Sequence, residues 1–281
     1  MPFAKVHSAQ TSLLSAHIID IEVDLSKGLN AFTLVGLPDK AVEESRDRVS
    51  AAIKHSGFPS PKSTKHKIVI ALAPADIKKE GPAFDLGIAV AYLMASEQIQ
   101  TDIDIKTTLF LGELSLDGKL RSIKGTLPIV LEARKKGFKE IFLPKENAEE
   151  GALVDGVAIF GAENLKEVVK HIKKHNPTSS PEKISTKIAR QPKTNLPEKV
   201  AREGRVSFED VRGQEHVKRG LEIAAAGGHN IALYGPPGTG KTMLAQAFVH
   251  ILPPLSFDAV SYTHLRAHET KANLVCRLLL E

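Results

Sequence analysis

Residues Gly235-Pro236-Pro237-Gly238-Thr239-Gly240-Lys241-Thr242 put three glycines, a lysine and a hydroxyl side chain in the spacing G-x-x-x-x-G-K-[ST]. The chemistry this pattern serves is polyphosphate binding. Glycines without Cβ atoms let a backbone turn tightly, so that successive N–H groups can face one anion. A helix starting at the end of the loop adds its partial positive charge. Lys241 is expected to reach the β- and γ-phosphates, and the Thr242 hydroxyl to ligate Mg²⁺. ATP and Mg²⁺ are therefore the expected cofactors. Context separates the motif from a chance glycine-rich turn. His229–Tyr234 reads as a short apolar strand before it, and Met243–Leu252 as a helix after it, ending at Pro253-Pro254.

Other residue types offer less. His7, His17, His55 and His66 are scattered without ligand spacing, so a metal site is not expected. Asp102 and Asp104 form an acidic pair on a loop with no hydrolytic partner. The only cysteine, Cys276, cannot make an internal disulfide, which suits a reducing, cytoplasmic setting. No apolar run reaches the ~18 residues that suggest a membrane span, and the first residues read as strands, not as a signal peptide. Of 281 residues, 42% are hydrophobic and 25% charged, with a mild net charge of +5. That charge is uneven: ten Lys/Arg face three Glu between Lys166 and Arg202. Such a stretch is either a solvated linker or a segment that neutralises nucleic-acid phosphates.

The elements that must position these residues divide the chain. Residues 1–172 mix strand and helix signals. His17–Ser26 and Asn30–Pro38 are β-rich and break at Gly or Pro. A helix follows, with Val42, Val49, Ala52 and Ile53 on one face, Asp39 as its cap and Gly57 as its stop. Lys67–Asp76 is a buried strand. Phe84–Ser96 is an apolar helix in which Gly87 allows close packing. Thr108–Leu120 is a hairpin turning at Asp117-Gly118. A helix from Leu127, a strand at Lys139–Pro144 and a closing helix from Asn164 complete a mixed α/β domain. Residues 173–203, rich in Pro, Ser, Thr and Lys, read as an exposed, mobile basic linker. A second domain is expected over 204–259, with Val217, Leu221 and Ala224 on one helical stripe.

Phe208–Asn230 together with the phosphate loop resembles AAA+ ATPases of the Mg-chelatase-like branch. The run LEIAAAGGHN followed by GPPGTGKTMLA is similar to the ComM/YifB family, as are VGLPDKAVEESRDRVSAAIKHSGFP and KKEGPAFDLGIAVAYL in the first domain. The resemblance covers nearly all of residues 1–259. It implies that Val211, Gly213 and Gln214 lie against the adenine, although Gly213-Gln214 reads equally as a helix-start turn. It further implies a hexameric ring of copies and ATP-driven remodelling of DNA of the branch-migration type.

The first domain also looks like the Lon-type proteolytic fold, through KKEGPAFD and GELSLDGKLRSIKGTLPIVLEARKKGFKEIFLPKEN. Lon-type proteolysis implies a Ser after a Gly-Pro pair and a Lys base. Here Ala83 follows Gly81-Pro82, and Leu127 stands at the base position with Lys124 nearby. Alanine carries no nucleophile, so the domain is expected to be non-proteolytic, with Asp85 capping the next helix. Ser115 and Ser122 read as surface hydroxyls of the hairpin. The alternatives are an ATP-dependent Lon-like protease, a Mg-chelatase-type metal-insertion motor, and a non-enzymatic interaction module.

The expected fold class is thus α/β: a Lon-protease-like domain, a basic linker, then the start of a P-loop parallel-sheet domain that is cut short. No hydrophobic run ending in Asp-Glu follows Ala259. Residues 260–281 resemble the translation of a transposase-type sequencing adapter and are expected to be non-native. A P-loop strand with one following helix cannot cover both faces of a parallel sheet. The second domain is therefore expected to pack poorly, and residues 1 to ~170 to fold alone.

Overall fold

The computed structural model describes residues 3–12, 15–173, 187–194 and 206–253. The chain divides into two compact units, Met1–Leu196 and Pro197–Glu281.

The first unit is built on a seven-stranded mixed sheet ordered β3-β4-β2-β1-β5-β8-β9. Its strands are β1 (Phe3–Ser12), β2 (Ser15–Lys27), β3 (Ala31–Val35), β4 (His66–Ala73), β5 (Thr108–Phe110), β8 (Glu140–Pro144) and β9 (Ala158–Ala162). β2 runs antiparallel to both its neighbours, and the other adjacent pairs are parallel. A separate hairpin, β6 (Glu113–Leu114) and β7 (Leu120–Arg121), turns through Asp117-Gly118 as its sequence requires.

Strand alternation divides the core between the two faces of the sheet. Phe110 and Phe142 join one cluster with α1 (Lys40–His55), α2 (Asp85–Ala95) and α5 (Leu165–Ile172). Leu109, Leu111, Ile141 and Leu143 join a second cluster with α3 (Thr126–Lys135) and α4 (Ala148–Gly151). The expected apolar face of α1 is fully buried at Val42, Val49, Ala52 and Ile53, and the Asp39 carboxylate accepts from the Val42 amide at 2.8 Å. Gly87 does bring α2 close to the sheet: a Cβ there would lie 2.6 Å from Ile21 Cδ1.

Asp85 departs from its expected role. It is the first residue of α2, but its side chain does not cap that helix. Instead the fully buried carboxylate accepts from Arg48 Nε at 2.7 Å and Nη2 at 3.1 Å, from the Ser45 hydroxyl, and from the Leu114 amide at 3.1 Å. Burial pushes this carboxyl up, and the Arg48, Ser45 and Leu114 donors act in the opposite sense. A helix N-terminus has water as an alternative partner, whereas the fully buried Asp85 carboxylate has none and needs a charged donor, which Arg48 supplies.

The basic linker also differs in part from its reading. Residues 187–194 lie against β9. Arg190 bridges antiparallel to Phe160, the Gln191 amide donates to Ile159 O at 2.8 Å, and the Thr194 amide donates to Ala152 O at 3.1 Å. Ile188 packs on the first core, and its amide donates to His171 Nδ1 at 3.0 Å. β9 is the edge strand of the sheet, so its free backbone groups accept this segment once Ile188 supplies an apolar anchor. The His171 ring stands edge-on to Phe142 and Phe160. Burial and the neighbouring Lys187 hold its pKa below the ordinary value.

In the second unit, α6 (Glu215–Gly227) packs against α7 (Lys241–Ile251). Leu221, Ala224 and Ala225 meet Leu244, Ala247, Phe248 and Val211, with Val217, Ile231 and Leu233 partly buried against them.

Two outcomes are expected from these contacts. Arg48→Met should destabilise the protein by ~3–5 kcal/mol by leaving Asp85 uncompensated, while Arg48→Met with Asp85→Leu should lose less, as read from urea midpoints. The second concerns pH. His171 binds a proton more readily unfolded than folded, so its contribution is present above about pH 6.5 and lost as pH falls through that value towards the folded pKa. Hydrogen-exchange protection of the Ile188 amide, corrected for intrinsic rate, should fall on acidification through this range and be insensitive to pH in His171→Phe.

Candidate nucleotide-binding site

The phosphate-loop motif sits where backbone chirality demands glycine. Gly238 and Gly240 have φ of 80° and 79°, a left-handed conformation that side chains with a Cβ resist. Nothing lies within 4 Å of where a Cβ would be at either position, so conformation and not crowding selects them. Gly240 is the N-cap of α7 and Lys241 its first residue. The first helical bond is made by the Leu244 amide to Gly240 O, so the amides at the start of α7 have no partner within the helix.

Lys241 turns back over the loop. Its Nζ donates to Gly235 O at 2.8 Å and Pro236 O at 2.7 Å, and lies 3.4 Å from Thr239 Oγ1. Thr239 Oγ1 in turn donates to Pro236 O at 2.9 Å. Pro236 and Pro237 stiffen the span between the first two glycines, and Thr242 is exposed next to Lys241. One turn of chain thus gathers a cation, a hydroxyl and a helix N-terminus. These groups fit a magnesium-bound polyphosphate: two acceptor carbonyls already hold the ammonium over the loop, and no acidic side chain belongs to it.

The segment before the loop is not a strand. His229–Tyr234 is extended, but among the described residues of this unit no other strand is present to bond it. Its side chains still alternate. Ile231 and Leu233 pack on the α6/α7 core, while Ala232 and Tyr234 are exposed. The sequence pattern of a strand is intact, and the missing part is the ladder, which needs a neighbour.

Val211, Gly213 and Gln214 lie just before α6. The Val211 side chain is in the unit's core, 7% exposed. Gly213 and Gln214 both have left-handed backbones, at φ 69° and 60°, and Gln214 is the N-cap of α6 with no side-chain cap bond. A glutamine held in this conformation is strained unless its surroundings require it. The helix-start turn is therefore present, and it is an unusual one.

The Lon-like positions are also on view. Ala83 lies in a short 3-10 turn, and its carbonyl accepts from the Gly112 amide at 2.9 Å. Leu127 is buried in the second core, Lys124 is exposed, and Ser115 is tied into its own turn through Asp117 Oδ1 and Lys119 O. Sequence reading missed Lys79. It is fully buried, donates through Nζ to Pro74 O and to Ile77 O at 2.8 Å, and has its pKa lowered by burial. Among the described residues, no group of three or more His, Cys, Asp or Glu could hold a metal ion, and no helix is long and apolar enough to cross a membrane. The stretch expected to be non-native, residues 260–281 with Cys276, lies outside the described residues.

The absent nucleophile gives a direct test. Ala83→Ser restores a hydroxyl but no base, since Leu127 cannot accept a proton. Neither the parent chain nor Ala83→Ser should cleave casein, and cleavage by either would overturn this reading of the site.

Comparison with known proteins adds the family. The family described as "Subunit ChlI of Mg-chelatase" matches residues 21–147, and that described as "Magnesium chelatase, subunit ChlI" matches residues 207–273, reaching into the stretch set apart above as foreign. Competence protein ComM of Haemophilus influenzae is 40% identical over 275 residues, covering 96% of this chain and 51% of that protein. Protein YifB of Salmonella typhimurium is 43% identical over 256 residues, covering 91% of this chain and 47% of that protein. Lon protease 2 of Thermus thermophilus is 34% identical over 134 residues, covering 46% of this chain and 16% of the protease. The chain spans about half the length of the ComM and YifB relatives. With both family matches in the expected order and about two residues in five identical along most of its length, the chain belongs to the ComM/YifB family of Mg-chelatase-like proteins.

Proposed function

We propose that this chain carries the nucleotide-binding element of a cytoplasmic AAA+ ATPase that remodels DNA as a ring of copies, hexameric in the intact protein. The observation that carries the reading is the loop at Gly235–Thr242, where left-handed glycines deliver the start of α7 and the Lys241 ammonium to one place. ATP would be held by the amides of Gly238, Thr239 and Gly240, by Lys241, and by Thr242 through Mg²⁺. Bound Mg²⁺ would neutralise phosphate charge. Pro236 and Pro237 would keep the loop open, and Val211, Gly213 and Gln214 would border the base.

The DNA part of the reading is supported by the likeness to a competence protein and by the basic segment between Lys166 and Arg202. The first unit would act without proteolysis, as a binding or assembly module. Turnover would need carboxylates that hold Mg²⁺ and polarise water, and an arginine from a neighbouring copy.

Titration with a fluorescent ATP analogue in Mg²⁺ tests the reading. Lys241→Ala should weaken binding roughly 10–100-fold, the equivalent of about 1.5–3 kcal/mol for a charged hydrogen-bonding group. Thr242→Ala should remove most of the Mg²⁺ dependence. Undiminished affinity in Lys241→Ala would overturn the proposal.

A further inference from the structure

The docked segment 187–194 brings together cations that are far apart in sequence. Lys166 and Lys170 are exposed and one turn apart on α5. Lys187 and Arg190 are exposed on the segment. The Ile188 amide is bonded to His171, which follows Lys170, and Arg190 pairs with Phe160, whose ring lies against His171 at 4.8 Å. Lys170, Lys187 and Arg190 therefore surround one anchor, with Lys166 a turn further along the helix.

The carboxylates Glu163, Glu167 and Asp155 near this surface have partners other than Lys166, Lys170, Lys187 and Arg190, Asp155 pairing with another cation of the segment. Glu167 accepts from the Asn164 side chain and the Glu163 amide, Glu163 pairs with Lys145 at 2.5 Å, and Asp155 pairs with Lys193 at 2.7 Å. Among the described residues, Lys166, Lys170, Lys187 and Arg190 show no ion pair. The backbone bonds to Ile159 and Ala152 fix the main chain of the segment, so the points from which its cations project are set before any ligand arrives. A spaced row of cations without buried apolar pockets between them suits a repeating phosphate chain.

We propose that α5 and the docked segment 187–194 form a binding surface for the sugar-phosphate backbone of DNA, separate from the nucleotide loop. The proposal rests on the DNA-remodelling reading and assigns part of that contact to the first unit. The surface is sequence-independent, and its strength depends on salt.

Fluorescence anisotropy with a labelled DNA duplex, run from low to moderate salt, tests it. The quadruple variant Lys166→Gln, Lys170→Gln, Lys187→Gln, Arg190→Gln should lower the slope of log affinity against log salt by roughly 3–4, at about 0.9 per phosphate contact. Ile188→Pro removes the amide that holds the segment to His171 and should lower the slope by roughly 2, leaving the α5 lysines in place. A charge-matched control at Lys27, Lys40, Lys65 and Lys67, exposed cations on and beside β2, β4 and the start of α1, towards the other end of the sheet from β9, should leave the slope nearly unchanged. Unfolding midpoints establish that each variant is folded.

If the parent chain binds DNA and the quadruple variant binds it equally, or the control loses as much, the surface is wrong and the DNA reading stands. If the parent chain does not bind DNA at all, both fall. Loss of binding to phosphatidylglycerol vesicles or to polyglutamate, with DNA binding intact, would assign the surface to another partner and overturn the proposal.

Discussion

The Asp85 carboxylate, shut away from water, is the constraint around which the first unit is arranged. A buried charge is tolerated only where its partners are fixed, and here they come from three places: Ser45 and Arg48 on α1, and the Leu114 amide of the small hairpin. A single side chain thereby ties α1, α2 and the hairpin together. Asp39 extends the arrangement, since its second carboxylate oxygen accepts from the Gly81 amide at 3.2 Å while the first caps α1. Gln10 secures the neighbouring loop from the other side through Lys78 O and the Glu80 amide. The Gly81-Pro82-Ala83 turn is held by this network, and it carries a methyl group where the Lon-type pattern carries a hydroxyl.

Much of this was legible in the sequence because local rules and tertiary needs agreed. The α1 stripe, its Asp39 cap, the Asp117-Gly118 turn and the close approach at Gly87 follow from periodicity, capping and glycine chemistry. The backbone of the Gly235–Thr242 loop was legible for the same reason, since Gly238 and Gly240 stand at left-handed positions that glycine adopts most readily. The three departures share a cause. Asp85, the 187–194 segment and Lys79 are fixed by partners distant in sequence, which no local pattern reveals. The alternating Ile231/Leu233 pattern shows the converse: propensity for a strand was present, but a strand also needs a neighbour.

The basic linker shows how composition can mislead. Pro, Ser and Lys argue against a core, and most of that stretch has no apolar period. One isoleucine, with backbone bonds to the edge strand and to Ala152 and one ion pair, places eight residues against the sheet. β9 itself, short and interrupted by Gly161, gave a weak signal, so the docking place for this segment was not visible either.

The position of Lys241 sets the terms on which the loop can take a ligand. Its ammonium already satisfies two backbone carbonyls, so an incoming phosphate does not meet a bare positive charge waiting in solvent. It exchanges one set of oxygen partners for another. The driving force is only the difference between a formal anion and two dipoles. The two carbonyls hold the shape of the resting loop but leave the ammonium's positive charge in place, so a more highly charged anion would gain more from that exchange.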